Sequence, residues 1–170
     1  MTQLALDAEA LYEQLQRQVG ALVAAAGATP VGLVGIWSGG AWLAERLQKD
    51  LALPGGSGTL SITLHRDDYA ERGLSATAGA TRLPFEVDGR HIVLVDDVLY
   101  TGRTMRAALN ELFDFGRPAR VSLAVLVDRG GRELPFEAQC AAARIALPAS
   151  QRLSLAQDTK GRLTFAVEGG

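Results

Sequence analysis

The stretch that decides the fold is residues 93–104, which read Val-Leu-Val-Asp-Asp-Val-Leu-Tyr-Thr-Gly-Arg-Thr. It opens with an apolar run, continued upstream by Ile92, that is typical of a strand buried in a parallel sheet. The run ends in two adjacent carboxylates, Asp96 and Asp97, and a turn containing Gly102 leads into a segment with helical spacing. Because ligands bind beyond the carboxyl ends of the strands in such sheets, the two acids are candidates for a binding site.

The turn after the acids has the composition of a phosphate-binding loop. Backbone N–H groups at a helix N-terminus are unpaired and the helix dipole favours an anion there. Gly102 permits close approach of a phosphate, and Thr101 and Thr104 add hydroxyl donors. Adjacent aspartates also occur as caps or turn formers, but here they are combined with this turn. The segment has neither the Gly-Lys-Ser/Thr of a P-loop nor the Gly-x-Gly-x-x-Gly of a dinucleotide fold, which excludes those two readings.

Outward from this unit, strands alternate with helices. Asp7 caps a first predicted helix that ends near Gly27 and Pro30, and residues 66–84 form a polar loop without a sustained period. The other predicted elements are strands at 31–36, 59–65, 91–98, 121–127, 141–147 and 163–167, the last an edge strand, and helices at 41–51 and 103–115. This order predicts one α/β domain, residues 1–170, with a central, mostly parallel sheet flanked by helices.

Composition and charge exclude several classes of protein. A hydrophobic share of 48% over 170 residues supports a real core, and a net charge of −2 argues against binding nucleic acid by bulk charge. The single cysteine, Cys140, permits no intrachain disulfide and no cysteine metal site, and we expect it to be buried. No apolar run approaches the roughly 20 residues that span a bilayer, and the acidic N-terminus does not resemble a signal peptide. We expect a cytoplasmic protein with no membrane partner.

Residues 93–104, together with Ile92 before them, resemble the motif that binds phosphoribosyl pyrophosphate (PRPP) in type I phosphoribosyltransferases: four hydrophobic residues, two acids and a loop ending in Thr-Gly-x-Thr. Within that superfamily the resemblance extends to the PyrR group, which combines uracil phosphoribosyltransferase activity with regulation of pyrimidine genes. Residues 62–68, 95–104, 116–118 and 123–135 support it, which places most of residues 31–135 in register with that group. The resemblance implies the type I phosphoribosyltransferase fold, with a flexible lid at about 66–84 and a small base-binding hood from about 128 plus the C-terminal segment.

The resemblance also distributes PRPP over three parts of the chain. The ribose hydroxyls would be bound by Asp96 and Asp97, which would also contact Mg²⁺ carried mostly by PRPP. The 5′-phosphate loop would consist of Tyr100, Thr101, Gly102, Arg103 and Thr104. The pyrophosphate loop would consist of Ser38, Gly39 and Gly40, where relatives carry Thr-Arg-Gly. A cation next to the pyrophosphate is therefore missing, and Mg²⁺ or a lid residue must supply more of the neutralisation.

The resemblance also implies a lid and a base pocket, which complete the site. Arg66, assigned a catalytic role, and after it Arg72 would close over the pyrophosphate and exclude water; each could instead be a solvated side chain. The base pocket would be formed by Val127, Asp128 and Arg129, which would read a pyrimidine largely through backbone groups. Purine enzymes of the superfamily place an aspartate directly before Thr-Gly. This chain has Tyr100 there, which fits uracil.

The implied activity is transfer of the phosphoribosyl group of PRPP to uracil, giving UMP and pyrophosphate, together with regulation of pyrimidine biosynthesis genes. Two alternatives stay open: a nucleotide-sensing attenuator that binds the pyr mRNA leader with little transferase activity, and a PRPP-binding protein without activity. The arginines are scattered rather than dense, which disfavours the attenuator. The family implies a homodimer or a higher even oligomer. We further expect His91 to be exposed at a strand start and Arg132 to pair with Glu133.

Overall fold

The computed structural model of the chain describes residues 5–62 and 80–169. Five strands form one parallel sheet in the order β2-β1-β3-β4-β5, and two further strands form a separate antiparallel hairpin. The strands are β1 Val31–Ile36, β2 Gly58–Leu60, β3 His91–Leu99, β4 Arg120–Asp128, β5 Cys140–Arg144, β6 Arg152–Gln157 and β7 Leu163–Glu168. The helices are α1 Ala8–Ala25, α2 Gly39–Asp50 and α3 Arg103–Phe113. The predicted α/β class, with a central parallel sheet flanked by helices, is confirmed.

Helices cover both faces of the sheet because the central strands are apolar on both sides. Along β3, Val93 and Val95 pack in one core with α1 and α2, whereas Ile92 and Leu94 pack in a second core with α3. All four side chains are at most 2% exposed. A strand buried on both faces reads as a continuous hydrophobic run, which is why this stretch was recognisable in the sequence.

Several predicted boundaries are corrected by the structure. Helix α3 ends at Phe113 rather than at 115, because the N–H groups of Asp114 and Phe115 bond to carbonyls three residues back, a tighter turn that ends the helix. Strand β5 covers 140–144 rather than 141–147, and β2 is described only as Gly58–Leu60, with residues 63–65 of that prediction outside the described ranges. The predicted final strand is β7, but it pairs with β6, which the sequence analysis missed.

Three expectations about single residues have clear outcomes. The side chain of Asp7 caps α1, accepting from the N–H of Ala10 at 3.1 Å, as predicted. Cys140 is buried, also as predicted. The expectation of an exposed His91 is wrong: it is 6% exposed, and its Nε2 lies 2.8 Å from Oγ of Ser122 on β4.

Within the two described ranges, no helix is long and apolar enough to cross a membrane.

Candidate active site

The parallel register brings the ends of three strands together. Gly35 of β1 pairs with Val95 of β3, and Leu99 of β3 pairs with Asp128 of β4. The loop after β1, the acid pair near the end of β3 and the loop after β4 therefore meet at one edge of the sheet. These are the segments to which the sequence analysis assigned pyrophosphate, ribose and base.

The acid pair is held by backbone hydrogen bonds within its own strand. Asp96 is 7% exposed and Asp97 is half-buried. The N–H of Asp97 donates to Oδ1 of Asp96, and the N–H of Val98 donates to Oδ1 of Asp97, both at 2.9 Å. Burial first, and then the neighbouring charge of Asp97, raise the pKa of Asp96 well above its ordinary value. One oxygen of each carboxylate thus accepts from the backbone, and the two carboxyl groups lie close enough to interact directly.

The two glycines of the 38–40 loop allow this loop to press against the acid pair. A Cβ at Gly39 would lie 2.8 Å from Oδ2 of Asp97, and a Cβ at Gly40 would lie 2.1 Å from the carbonyl oxygen of Val95. Both distances are shorter than an ordinary contact. The loop follows a cis peptide between Trp37 and Ser38, and Trp37 is 47% exposed. Glycine is therefore required at position 40 for the backbone of α2 to approach β3.

The 5′-phosphate loop turns into α3 through a left-handed glycine. Gly102 has φ +93° and immediately precedes the helix. The carbonyl of Thr101 accepts from the N–H groups of Glu133 and Leu134, each at 2.9 Å, and Oγ1 of Thr101 accepts from the N–H of Arg103 at 3.2 Å. The helix dipole and the first-turn amides make this end of α3 suitable for a phosphate.

The loop after β4 is organised by a carboxylate that holds two arginines. Oδ2 of Asp128 accepts from Arg132 at 2.6 Å and from Arg144 at 2.7 Å, and Oδ1 accepts from the N–H of Gly130 at 3.0 Å. Burial would raise the pKa of Asp128, but these bonds and charges, led by Arg132, outweigh it and lower the pKa. Glu133 pairs instead with Arg103 at 3.1 Å, so the expected Arg132–Glu133 pair is wrong.

The side chain of Arg129 turns away from the acid pair into the hood. Its guanidinium is 3.8 Å from the centroid of the Tyr100 ring and donates to the carbonyls of Gln151 at 2.8 Å and Pro148 at 3.1 Å. The residue is 5% exposed. Arg129 therefore joins the 5′-phosphate loop to the segment before β6. Of the three residues assigned to the base pocket, Val127 is fully buried at the end of β4, and the side chains of Asp128 and Arg129 are engaged by protein groups.

Part of the predicted lid can be placed. Arg66 and Arg72 lie outside the described residues, as does the rest of 63–79. At the far end of the predicted lid, Arg82 exchanges two backbone hydrogen bonds with Thr59, each at 2.8 Å. Oγ1 of Thr81 accepts from the N–H of Ser61 and donates to Glu111. Residues 81 and 82 are thus anchored to β2 and α3.

Sequence reasoning missed the connections made by Arg132, Arg144 and the hood carbonyls. The one local signal was the spacing of Asp128 and Arg132, four residues apart. The partner in β5 and the carbonyls before β6 are separated from that loop by many residues, so no local pattern identifies them.

Comparisons with known proteins agree with this geometry. The phosphoribosyl transferase domain family matches residues 3–143. A protein of Ralstonia nicotianae named bifunctional protein PyrR is 54% identical, over 99% of this chain and 98% of its own length. The protein of the same name from Nitrosococcus oceani is 44% identical over 89% of this chain and 87% of its own. In fold, the chain resembles a hypoxanthine-guanine phosphoribosyltransferase of Bacillus anthracis, with TM-score 0.65, 14% identity and coverage of 86% of this chain and 84% of the other.

Proposed function

We propose how this site works from one premise: the chain belongs to the phosphoribosyl transferase domain family and, within it, to the bifunctional PyrR proteins. It is a uracil phosphoribosyltransferase that transfers the phosphoribosyl group of PRPP to uracil, giving UMP and pyrophosphate, and it is a regulator of the PyrR type. The roles of individual residues below, the metal and the RNA partner are our proposals.

Asp96 and Asp97 grip the ribose diol. One oxygen of each carboxylate accepts from the backbone, the two carboxyl groups interact with each other, and Asp97 lies beside Gly39 of the pyrophosphate loop. The contact of Gly39 with the Asp97 carboxylate is the single observation that carries this assignment, because it joins the ribose acids to the loop assigned to the leaving group. Fixing the diol orients C1 for attack by the base nitrogen.

The 5′-phosphate and the pyrophosphate of PRPP bind to two different loops. The 5′-phosphate accepts from the first-turn amides of α3 and from the hydroxyls of Thr101 and Thr104. The pyrophosphate accepts from the backbone of Ser38, Gly39 and Gly40 at the start of α2. Since no arginine stands in this second loop, we assign the missing positive charge to Arg66 and to Mg²⁺.

The acid pair fits a magnesium ion carried by the substrate. Carboxylate oxygens are the hard ligands that Mg²⁺ takes, and it is usually held by one or two of them together with phosphate oxygens and water. Residues 5–62 and 80–169 contain no group of three or more acidic, histidine or cysteine side chains suited to hold a metal by themselves. When bound, the ion neutralises charge on the departing pyrophosphate.

The reaction needs no nucleophilic residue of the protein. PRPP loses pyrophosphate from C1 through a transition state with oxocarbenium character, and the nitrogen of uracil attacks the same carbon. The chain orients the ribose, stabilises charge on the leaving group and excludes water. We assign uracil to the segment Val127 to Arg129, where the side chains of Asp128 and Arg129, the N–H of Arg129 and the carbonyl of Asp128 already bond to protein groups.

The regulatory activity would use the pyr mRNA leader as partner, and the chain would act in the cytoplasm, where its substrates are found, as an even-numbered homo-oligomer. Binding to that leader should weaken steeply with salt, because neutralised phosphates release counterions. Absence of any shift of the leader at low salt would remove the RNA proposal without affecting the transferase activity.

Asp97→Asn tests the ribose assignment. The variant removes a charged acceptor for the diol while preserving shape, so we expect kcat/KM for UMP formation to fall about a hundredfold or more with the fold intact. Formation of UMP from uracil, PRPP and Mg²⁺ is followed by absorbance, and circular dichroism reports the fold. Asp158→Asn, which makes the same change at the β6–β7 turn, is the control and should retain full activity. Near-normal turnover by Asp97→Asn would refute the assignment.

A further inference from the structure

We propose that Arg132 is a positioning residue that links residues 127–129, which we call the base loop, to the 5′-phosphate loop, residues 100–104. Uracil and the ribose are thereby held at a fixed separation. The inference rests on the proposed function. It concerns a residue whose side chain reaches three acceptors.

The three nitrogens of the Arg132 guanidinium donate to three acceptors, one in the 5′-phosphate loop and two that lie four residues before and four residues after Arg132. One terminal nitrogen donates to the carbonyl of Tyr100 at 2.8 Å, and the other donates to Oδ2 of Asp128 at 2.6 Å. Nε donates to the carbonyl of Phe136 at 2.8 Å. The planar fork of arginine fixes the angles between these bonds, so the three acceptors are held in one arrangement.

The acceptor in the base loop is itself held rigidly. Asp128 is 6% exposed, and its carboxylate also accepts from Arg144 and from the N–H of Gly130. Its main chain is fixed as well, because the carbonyl accepts from the N–H of Ile145 at 2.9 Å. A carboxylate bound on all sides transmits a shift of Arg132 to the backbone of the base loop.

The acceptor in the 5′-phosphate loop is enclosed in the same way. The ring of Tyr100 lies under the guanidinium of Arg129, and a Cβ at Gly131 would lie 2.4 Å from Cε1 of that ring. Gly131 has φ +77°, so this close approach depends on glycine. The Tyr100 ring is therefore packed between Arg129 and Gly131.

The third acceptor extends this link to the phosphate-binding turn. The ring of Phe136 lies 2.9 Å from the position that a Cβ at Gly102 would take. The carbonyl of Thr101 accepts from Glu133 and Leu134 in the same segment. Residues 130–136 thus wrap residues 100–102, and the only side chain among the described contacts that bonds to Tyr100, Asp128 and Phe136 together is that of Arg132.

A positioning role and a merely structural role predict different results for a ligand that spans both loops. UMP contacts the base loop and the phosphate loop at once, whereas ribose 5-phosphate contacts only the second. Loosening the link between the loops should therefore weaken UMP binding more than ribose 5-phosphate binding. A loss of stability alone would affect both ligands equally.

The experiment compares Arg132→Lys with Arg144→Lys. Lysine keeps the positive charge beside Asp128 but cannot span three acceptors as a fork. Arg144 bonds to the same carboxylate oxygen and to the carbonyl of Ala138, and touches neither Tyr100 nor Phe136, so the second variant is a matched control. Calorimetry measures Kd for UMP and for ribose 5-phosphate, and the UMP-forming assay measures kcat and KM.

We expect Arg132→Lys to bind UMP about tenfold more weakly, to bind ribose 5-phosphate within about twofold of wild type, and to lose about ten- to a hundredfold in kcat. Arg144→Lys should weaken binding of UMP and of ribose 5-phosphate by similar small factors, because the bonds of Arg144 to Asp128 and Ala138 do not reach the 5′-phosphate loop. Equal losses for both ligands, or equal behaviour of the two variants, would overturn the inference. Should Arg132→Lys not fold, Gly131→Ala displaces Tyr100 from the ring side and must give the same split between ligands. If the wild-type protein makes no UMP, the proposed function fails instead.

Discussion

Gly40→Ala is the substitution for which the structure predicts the clearest loss of activity. The new Cβ would lie 2.1 Å from the carbonyl oxygen of Val95, whereas ordinary contacts begin at 3.4 Å, so the backbone must move by about 1.3 Å. The movement falls on α2 or on the end of β3, next to Asp96. Displacement of catalytic groups by about 1 Å can cost about a hundredfold in rate. We therefore expect kcat/KM for UMP formation to fall about a hundredfold.

The fold should survive this substitution. Overpacking costs about 1–3 kcal/mol, and up to about 1 kcal/mol returns because alanine favours a helix over glycine. Thermal unfolding followed by circular dichroism measures the net effect, expected at about 0–3 kcal/mol of destabilisation.

Alanine variants at two other glycines provide comparisons for Gly40→Ala. At Gly39 the new Cβ would lie 2.8 Å from Oδ2, 3.1 Å from Cγ and 3.3 Å from Cβ of Asp97, so Gly39→Ala displaces a proposed ribose ligand directly and should also lose activity. Among the residues that the structure describes, none lies closer than 3.6 Å to a Cβ at Gly56, and Gly56→Ala should behave as wild type. A folded Gly40→Ala protein within about twofold of wild-type activity would show that the close approach of this loop to β3 has no role in catalysis.

Two further predictions concern pH. The pKa of Asp96 is raised, so the folded state holds this proton more readily than the unfolded state, and the free energy of unfolding falls as pH rises above about 4. Asp96→Asn should therefore raise the unfolding temperature of the ligand-free protein at pH 8, by an amount that shrinks towards pH 4. A difference that does not depend on pH would contradict this. Burial first, and then the charge of Arg120, lower the pKa of His91 below 6.5, so the free energy of unfolding should fall as pH drops from 6.5 to 5. Urea titrations at several pH values should show a smaller fall for His91→Gln. An unchanged fall would exclude His91 as its source.

The fold and the acid pair could be predicted because their signals are local. A strand buried on both faces is a continuous apolar run, and Asp96, Asp97 and Gly102 follow it directly in the chain. The same holds for the cap at Asp7. The order of the strands within the sheet was not predicted and comes from the structure.

The missed features depend on partners distant in sequence. His91 begins its strand with a polar side chain, which suggests exposure, but Ser122 on the neighbouring strand allows it to be buried. Arg132 stands beside Glu133 in the chain, yet its side chain bonds to Tyr100 and Asp128 while Glu133 turns to Arg103. Pairing in each case is set by tertiary packing, which one sequence does not reveal.

The hairpin of β6 and β7 shows the same limitation. Its first strand alternates Leu153 and Leu155 with Arg152 and Ser154, a short pattern that the sequence analysis overlooked. In the structure, Leu153 packs with the core of α1 and α2, and the carbonyls just before β6 hold Arg129. The hairpin thus contributes to the position of the hood.

The central claim is that the acid pair binds the ribose diol while the turn into α3 binds the 5′-phosphate. A crystal structure of the protein with PRPP and Mg²⁺ measures this directly. Our account predicts both ribose hydroxyls within hydrogen-bonding distance of Asp96 and Asp97, the 5′-phosphate at residues 100–104 and the pyrophosphate beside Gly39 and Gly40. Density for PRPP at another face of the sheet, or with its ribose turned away from the two carboxylates, would contradict it.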